Sequence, residues 1–85
     1  MSPKKLLVRL ASGHLRNVAF RDMQALVEAF GFRLARTEGS HHIYSRSGVP
    51  EQLNLQAVAG EAKPYQIRQF LRLVERYDLR MEEKA

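Results

Sequence analysis

The amino-acid sequence predicts an α+β domain in which one helix, three antiparallel strands and a second helix follow each other along the chain. Two observations predict this order. Apolar residues recur at helical spacing in a central and in a C-terminal stretch, as in helices with one buried side. Between them, apolar and polar residues alternate in short segments separated by turn residues. We expect both helices on one face of the sheet, because each has an apolar stripe to bury.

A short extra helix is expected in front of this order. Ser2-Pro3 places a capping residue before a proline at the first helical position. Leu6, Leu7 and Leu10 follow at helical spacing, and they either pack in the core or dock a partner. Residues 1–19 contain four basic and no acidic side chains, so we treat them as a basic N-terminal extension.

The central helix and the hairpin after it have the clearest patterns. Apolar residues at helical spacing predict the helix, and Gly31 suits the left-handed position after its last turn. Residues 32–38 then alternate, Gly39-Ser40 supplies a turn, and residues 41–45 are rich in strand-forming side chains, which predicts a hairpin. The apolar stripe of the helix consists of Phe20, Met23, Leu26, Val27 and Phe30.

The segment after the hairpin predicts one more strand and the last helix. Residues 47–51 contain glycine and proline and predict a turn, and residues 53–56 alternate as a third strand. Residues 57–62 are mostly small and predict a loop, after which Lys63-Pro64 opens a helix. Its apolar stripe consists of Ile67, Phe70, Leu71, Val74 and Tyr77.

Length and composition limit the classes of protein that fit. A chain of 85 residues suits one small domain, which we place at residues 20–79, with a charged tail over residues 80–85. No apolar stretch is long enough to span a bilayer, and the N-terminus lacks the apolar core of a signal peptide, so we expect a cytoplasmic protein without a membrane partner. The net charge of +5 favours a polyanionic partner.

Two of the three histidines follow the predicted hairpin turn. His41 and His42 are adjacent at the start of a strand, and histidine can accept and donate protons near neutral pH. Successive strand residues point to opposite faces, so the two rings cannot easily serve the same group. Ile43 is in phase with His41 and Tyr44 with His42, and because both are apolar enough to face the core, the pattern leaves open which histidine points outward.

The last helix has a row of basic residues. Arg68, Arg72 and Arg76 recur every four residues, which places them along one side of the helix, and Arg80 would continue the row. Lys63 adds a positive charge at the helix N-terminus, where free N–H groups attract anions. These residues predict either a phosphate-binding surface or a solvated face neutralised by nearby acids such as Glu75.

Three short motifs resemble those of the HicA family of small bacterial toxins. They are Gly31-Phe32 after the central helix, Gly39-Ser40-His41 at the turn, and a Lys-Pro-x-x-Ile-Arg start of the last helix at residues 63–68. The resemblance implies a double-stranded-RNA-binding-like α-β-β-β-α fold. The chain departs from the family pattern in one place: many members have a histidine and a proline after the third strand, where this chain has Leu55-Gln56-Ala57-Val58.

The resemblance further implies an mRNA interferase, which cleaves RNA without a metal or other cofactor and is neutralised by a HicB antitoxin. It places the catalytic histidine at His41, with His42 as the adjacent alternative. Gly39 would let the backbone approach the RNA, and Ser40 would contact a phosphate. Members of this family assemble with the antitoxin as hetero-oligomers, and a monomeric free toxin is compatible with that.

Other functions remain open at this point. A non-catalytic RNA-binding module of the same fold would use the histidines and Tyr44 as contact residues, and it would read RNA shape through 2′-hydroxyl and phosphate contacts. A metal site is weakly indicated, because the chain has no cysteine and His14 is far from the histidine pair in sequence. A scaffold protein that binds an acidic partner would also fit the basic charge.

Overall fold

The computed structural model describes residues 1–82, and within them it contains three helices and four strands. The strands form one antiparallel sheet in the order β1-β2-β3-β4. None of the helices in this part of the chain combines the length and the apolar stretch that crossing a membrane requires. In chain order the elements are α1 (Pro3–Ala11), α2 (Phe20–Ala29), β1 (Arg33–Glu38), β2 (His41–Arg46), β3 (Val49–Val58), β4 (Glu61–Ala62) and α3 (Pro64–Arg76).

The predicted α+β class, the helix–sheet–helix order and the extra N-terminal helix are confirmed. The predicted loop over residues 57–62 is wrong, because the chain reverses there in a tight turn. Ala59 and Gly60 both have positive φ, 52° and 77°, as in the two-residue turns that connect hairpin strands. Glu61 and Ala62 then pair with Val58 and Ala57, so the sheet has a short fourth strand.

The third strand is also longer than predicted. It begins at Val49, which pairs with Arg46 and is buried, so the turn before it is confined to Ser47 and Gly48. Pro50 lies at the second position of the strand and is exposed, in keeping with the preference of proline for strand starts. The last three residues of the predicted tail, 83–85, lie outside the described residues.

The N-terminal helix is part of the core. The Ser2 hydroxyl accepts a hydrogen bond from the backbone N–H of Lys5 at 3.2 Å, and this cap starts α1. Leu6 and Leu10 are 1% and 2% exposed and pack in the same apolar cluster as α2 and α3. Of the two alternatives for these leucines, core packing is therefore correct.

The helices cover one face of the sheet, and the register of β2 and β3 decides which residues point to them. Tyr44 pairs with Leu53, and His42 pairs with Leu55. Tyr44, Leu53 and Leu55 belong to the apolar core shared with the helices. Paired residues of an antiparallel sheet lie on the same face, so His42 points to the helix-covered face.

Phe70 of α3 is the central aromatic side chain of this core. It is fully buried, and its ring packs edge-on against Phe30 and Phe32 at centroid distances of 5.3 and 6.0 Å. These contacts join α3 to the segment that leads from α2 into β1. Aromatic pairs in this arrangement contribute about 0.5–1.5 kcal/mol each beyond their buried area.

We expect Phe70→Ala to lower the free energy of unfolding by about 3–5 kcal/mol, because it leaves a cavity beside the rings of Phe30 and Phe32. Chemical denaturation followed by circular dichroism measures the change. Val58→Ala is the control, since this side chain is 48% exposed and its loss should change stability by less than about 0.5 kcal/mol. A loss below about 1 kcal/mol for Phe70→Ala would contradict the packing described.

Candidate active site on the open sheet face

The sheet face away from the helices, here called the open face, carries a cluster of polar side chains around His41. The register places His41 opposite Gln56 on β3 and opposite Glu38 on β1. Ile43 pairs with Asn54 on the same face. Ile43 is buried but lies outside the main apolar core, as expected for a residue on the opposite side of the sheet.

The imidazole of His41 is held by Asn54. Its Nδ1 lies 3.1 Å from Asn54 Oδ1, and both side chains are half-buried. The amide oxygen is an acceptor, so it favours the tautomer with hydrogen on Nδ1 and leaves a lone pair on Nε2. This arrangement can orient Nε2 for accepting a proton from a group on the open face.

The turn before His41 is tied to β3 and to α3. Gln56 Nε2 donates to Ser40 Oγ at 3.1 Å, and the backbone N–H of Gln56 donates to Gln66 Oε1 at 2.7 Å. Gln66 is 1% exposed, and it is the buried polar residue of α3. A buried amide with satisfied hydrogen bonds fixes geometry, because breaking the bond would leave polar atoms without a partner. The first turn of α3 therefore helps to position Ser40 and His41.

A charged pair on β1 adjoins His41. Glu38 is the register partner of His41 and accepts a hydrogen bond from Arg36. That hydrogen bond and the charge of Arg36 hold the pKa of Glu38 below its usual value, with a smaller contribution from His41. Glu38 is thus a carboxylate at neutral pH, next to the ring on the open face.

His42 lies on the other side of the sheet. Its ring packs against the ring of Phe20 at a centroid distance of 4.9 Å, and its Nδ1 is 3.2 Å from the backbone oxygen of Ser40. The first contact packs the strand against the start of α2, and the second lies within the turn. The two histidines therefore have separate surroundings, as strand alternation predicts.

The structure does not place Tyr44 where an RNA contact requires it. Its side chain is 1% exposed, and its hydroxyl accepts a hydrogen bond from Gln24 Nε2 at 3.2 Å. Burial raises the pKa of Tyr44, and the ring has no free face for stacking on a base. Tyr44 fills the core beside Leu53, and this burial argues against the predicted contact with RNA.

The predicted phosphate-binding residues are on the surface of α3 and at its start. Lys63 precedes the helix, and its Nζ lies 5.9 Å from the centre of the Tyr65 ring. Arg68 and Arg72 are exposed, and within residues 1–82 neither has an acidic partner within 4.0 Å. Arg76 differs, since it pairs with Glu51 at 3.4 Å. The row of arginines is only partly neutralised.

Sequence reasoning missed three residues of this site: Asn54, Gln56 and Gln66. The first two alternate with buried leucines on β3, so the hairpin register would have placed them beside His41. Gln66 lies on the apolar stripe of α3 and gives no such signal. In the part of the chain that the structure describes, no three His, Cys, Asp or Glu side chains come together as metal ligands.

Comparison with known proteins gives one match. A family model described as the HicA toxin of bacterial toxin–antitoxin pairs matches residues 20–75, about two thirds of the chain. The searches of curated proteins and of solved structures found no match. The matched range starts at α2 and ends within α3, so it contains the open face and leaves α1 outside.

We expect Asn54→Ala to redistribute hydrogen between the two ring nitrogens of His41, because the acceptor facing Nδ1 is removed. Two-bond ¹⁵N–¹H correlation spectra report the tautomer of each histidine. Asn54→Asp is the matched control, since it keeps an oxygen acceptor at this position. His42 serves as the internal reference, and an unchanged His41 spectrum in the alanine variant would contradict the contact.

Proposed function

The chain belongs to the HicA family of toxins from bacterial toxin–antitoxin pairs, and on this premise we propose that it is a metal-independent endoribonuclease that cleaves mRNA. The observation that carries the proposal is the half-buried ring of His41, which follows the Gly39-Ser40 turn and is oriented by Asn54 on the open face. A HicB-like antitoxin is the proposed partner, and the cytoplasm is the proposed location.

In the proposed reaction, His41 is the general base. Its Nε2 takes the proton of a ribose 2′-hydroxyl, and the 2′-oxygen then attacks the adjacent phosphorus. A new bond between the 2′-oxygen and phosphorus forms while the bond to the 5′-oxygen breaks. The leaving oxygen takes its proton from solvent or from the protonated ring, and the products are a 2′,3′-cyclic phosphate and a 5′-hydroxyl.

Asn54 and the turn support this chemistry. The Asn54 oxygen facing Nδ1 keeps the ring in one orientation throughout the reaction, because Nδ1 carries a hydrogen both before and after Nε2 accepts a proton. Gly39 has a φ of 60°, and the space where a Cβ would stand is open, so a phosphate can approach the backbone there. Ser40 lies next to that approach and offers its hydroxyl to a phosphate oxygen. His42 is the alternative catalytic residue, on the opposite face.

Cations are needed to hold the RNA backbone. Lys63, Arg68 and Arg72 are proposed contacts with phosphates, since all three carry positive charge just before α3 or along it. Because Arg68 and Arg72 have no acidic partner within residues 1–82, their charges are available to a ligand. Such contacts fix the position of the RNA without reading its sequence.

A second function is favoured by a specific observation. Gln56 lies beside His41 and donates a hydrogen bond to Ser40. It occupies the region where many family members have a further histidine. The open face then has a single acid/base ring among residues 1–82. A non-catalytic RNA-binding module would need no more than this, and in that case the polar cluster would only contact the RNA backbone.

We expect His41→Ala to reduce RNA cleavage by about 10²- to 10⁴-fold, because one general base contributes a factor of this size. Purified protein is incubated with RNA in the presence of EDTA, and the 2′,3′-cyclic phosphate product is quantified. The matched variant is His42→Ala, which removes the ring on the helix-covered face and should leave cleavage within a few-fold of wild type. Circular dichroism verifies that both variants are folded.

The results of this assay distinguish the proposed endoribonuclease from its alternatives. Wild-type protein that binds RNA but never cleaves it would contradict the enzyme and support the binding module. Loss of cleavage in His42→Ala with retention in His41→Ala would place the catalytic ring on the opposite face. Cleavage that requires an added divalent metal would contradict the metal-independent mechanism.

A further inference from the structure

A second surface feature is formed mostly by residues outside the matched family range. It is a cleft of about 400 Å³ between the C-terminal end of α1, the segment that connects α1 to α2, and the start of α3. We call it the arginine cleft. The lining residues that matter for its chemistry are Arg9, His14, Arg16, Asn17, Pro64 and Arg68.

We propose that the arginine cleft binds a phosphate group of the RNA backbone, at a point separate from the cleavage site. This inference rests on the proposed function, because it assumes that RNA is the ligand of the protein. It adds to that function an anchoring site built mostly by residues 9–17, to which the family match does not extend, together with Pro64 and Arg68 of α3.

The charge of the cleft is of one sign. Three arginines and a histidine line it, and no acidic residue is among its lining residues. Within residues 1–82, Arg9, Arg16 and Arg68 form no ion pair within 4.0 Å. Like charges brought together without counter-charges repel each other, so a bound anion would relieve the repulsion. Guanidinium groups also match the geometry of phosphate oxygens.

One arginine is fixed in place without being neutralised. The Arg9 guanidinium donates from Nη2 to the backbone oxygens of Arg16 and Asn17, which are uncharged acceptors. Asn17 has a φ of 57°, in the left-handed region, where asparagine is tolerated better than most residues. These contacts hold the connecting segment against α1, so the wall that carries His14 and Arg16 is positioned before any ligand binds.

The start of α3 adds to the attraction for an anion. Pro64 is the first residue of the helix, and no side chain caps its N-terminus. The helix dipole makes this end partially positive. Arg68 follows Pro64 by one turn and extends into the same cleft.

The arginine cleft and the proposed cleavage site share one structural support. Pro64 lines the cleft, and Gln66 in the same helical turn accepts the hydrogen bond from the backbone of Gln56, which in turn binds Ser40. This connection favours RNA over an acidic protein as the occupant, because one strand held at both places would be positioned by a single rigid turn.

The test uses Arg16→Gln, since Arg16 lines the cleft and is not among the RNA contacts proposed on α3, with Arg21→Gln as the control. The control loses the same charge from an exposed arginine that does not line the cleft. Binding of a fluorescent single-stranded RNA to the full chain is measured by anisotropy over a series of salt concentrations. We expect several-fold weaker binding in the cleft variant, and a slope of log K against log salt that is smaller by about 0.7 per lost phosphate contact.

A second measurement uses inorganic phosphate alone, titrated into the wild-type protein and followed by NMR. Shifts of the His14 ring and of the Arg16 amide support the proposal. If the cleft variant and the control variant have equal RNA affinity and an equal salt dependence, and both still cleave RNA, the cleft proposal is wrong and the proposed function is unaffected. A wild-type protein that binds no RNA would contradict the proposed function itself. Polyglutamate is titrated in the same anisotropy assay as a competitor, and if the cleft variant loses only its binding to polyglutamate, the cleft proposal is overturned in favour of an acidic protein partner.

Discussion

The register between β2 and β3 is the constraint on which the site depends. Tyr44, Leu53 and Leu55 have to lie on the helix-covered face, because together with α2 and α3 they form the apolar core. With side chains alternating along each strand, this requirement alone directs His41 outward and His42 inward. A slip by one residue would exchange the two rings and expose Tyr44, so core packing and the chemistry of the site cannot change independently.

The polar contacts of the site depend on the same register. Asn54 and Gln56 reach His41 and Ser40 because they alternate with the buried leucines of β3. Gln66 connects this pattern to α3 with a buried side chain. No buried side-chain nitrogen or oxygen among residues 1–82 lacks a hydrogen-bond partner. The turn before His41 is thus held by neutral hydrogen bonds, which salt screens much less than ion pairs.

Much of the fold could be predicted from the sequence, because its signals are local. The stripes of α2 and α3, the turn at Gly39 and the cap at Ser2 are all set by residues within a few positions of each other. The fourth strand was missed because Ala57 and Ala62 have no alternation of polar and apolar side chains around them. The sequence pattern could not show which histidine points to the open face, because both Ile43 and Tyr44 could fill a core. The packing against α2 and α3 decides which of them is buried there. The hydrogen-bond partner of a glutamine inside an apolar stripe, such as Gln66, cannot be identified from the sequence and is found only in the folded structure.

The burial of Leu6 and Leu10 has a consequence for how the chain folds. These side chains lie in one apolar cluster with Val18, Phe20 and the residues of α3, although they come from the segment before the matched family range. In a small protein each buried leucine is a large part of a marginal net stability. We therefore expect the N-terminal helix to melt together with the sheet as one cooperative unit. The unit that folds then extends from α1 to α3, and it is longer than the range that the family model matches.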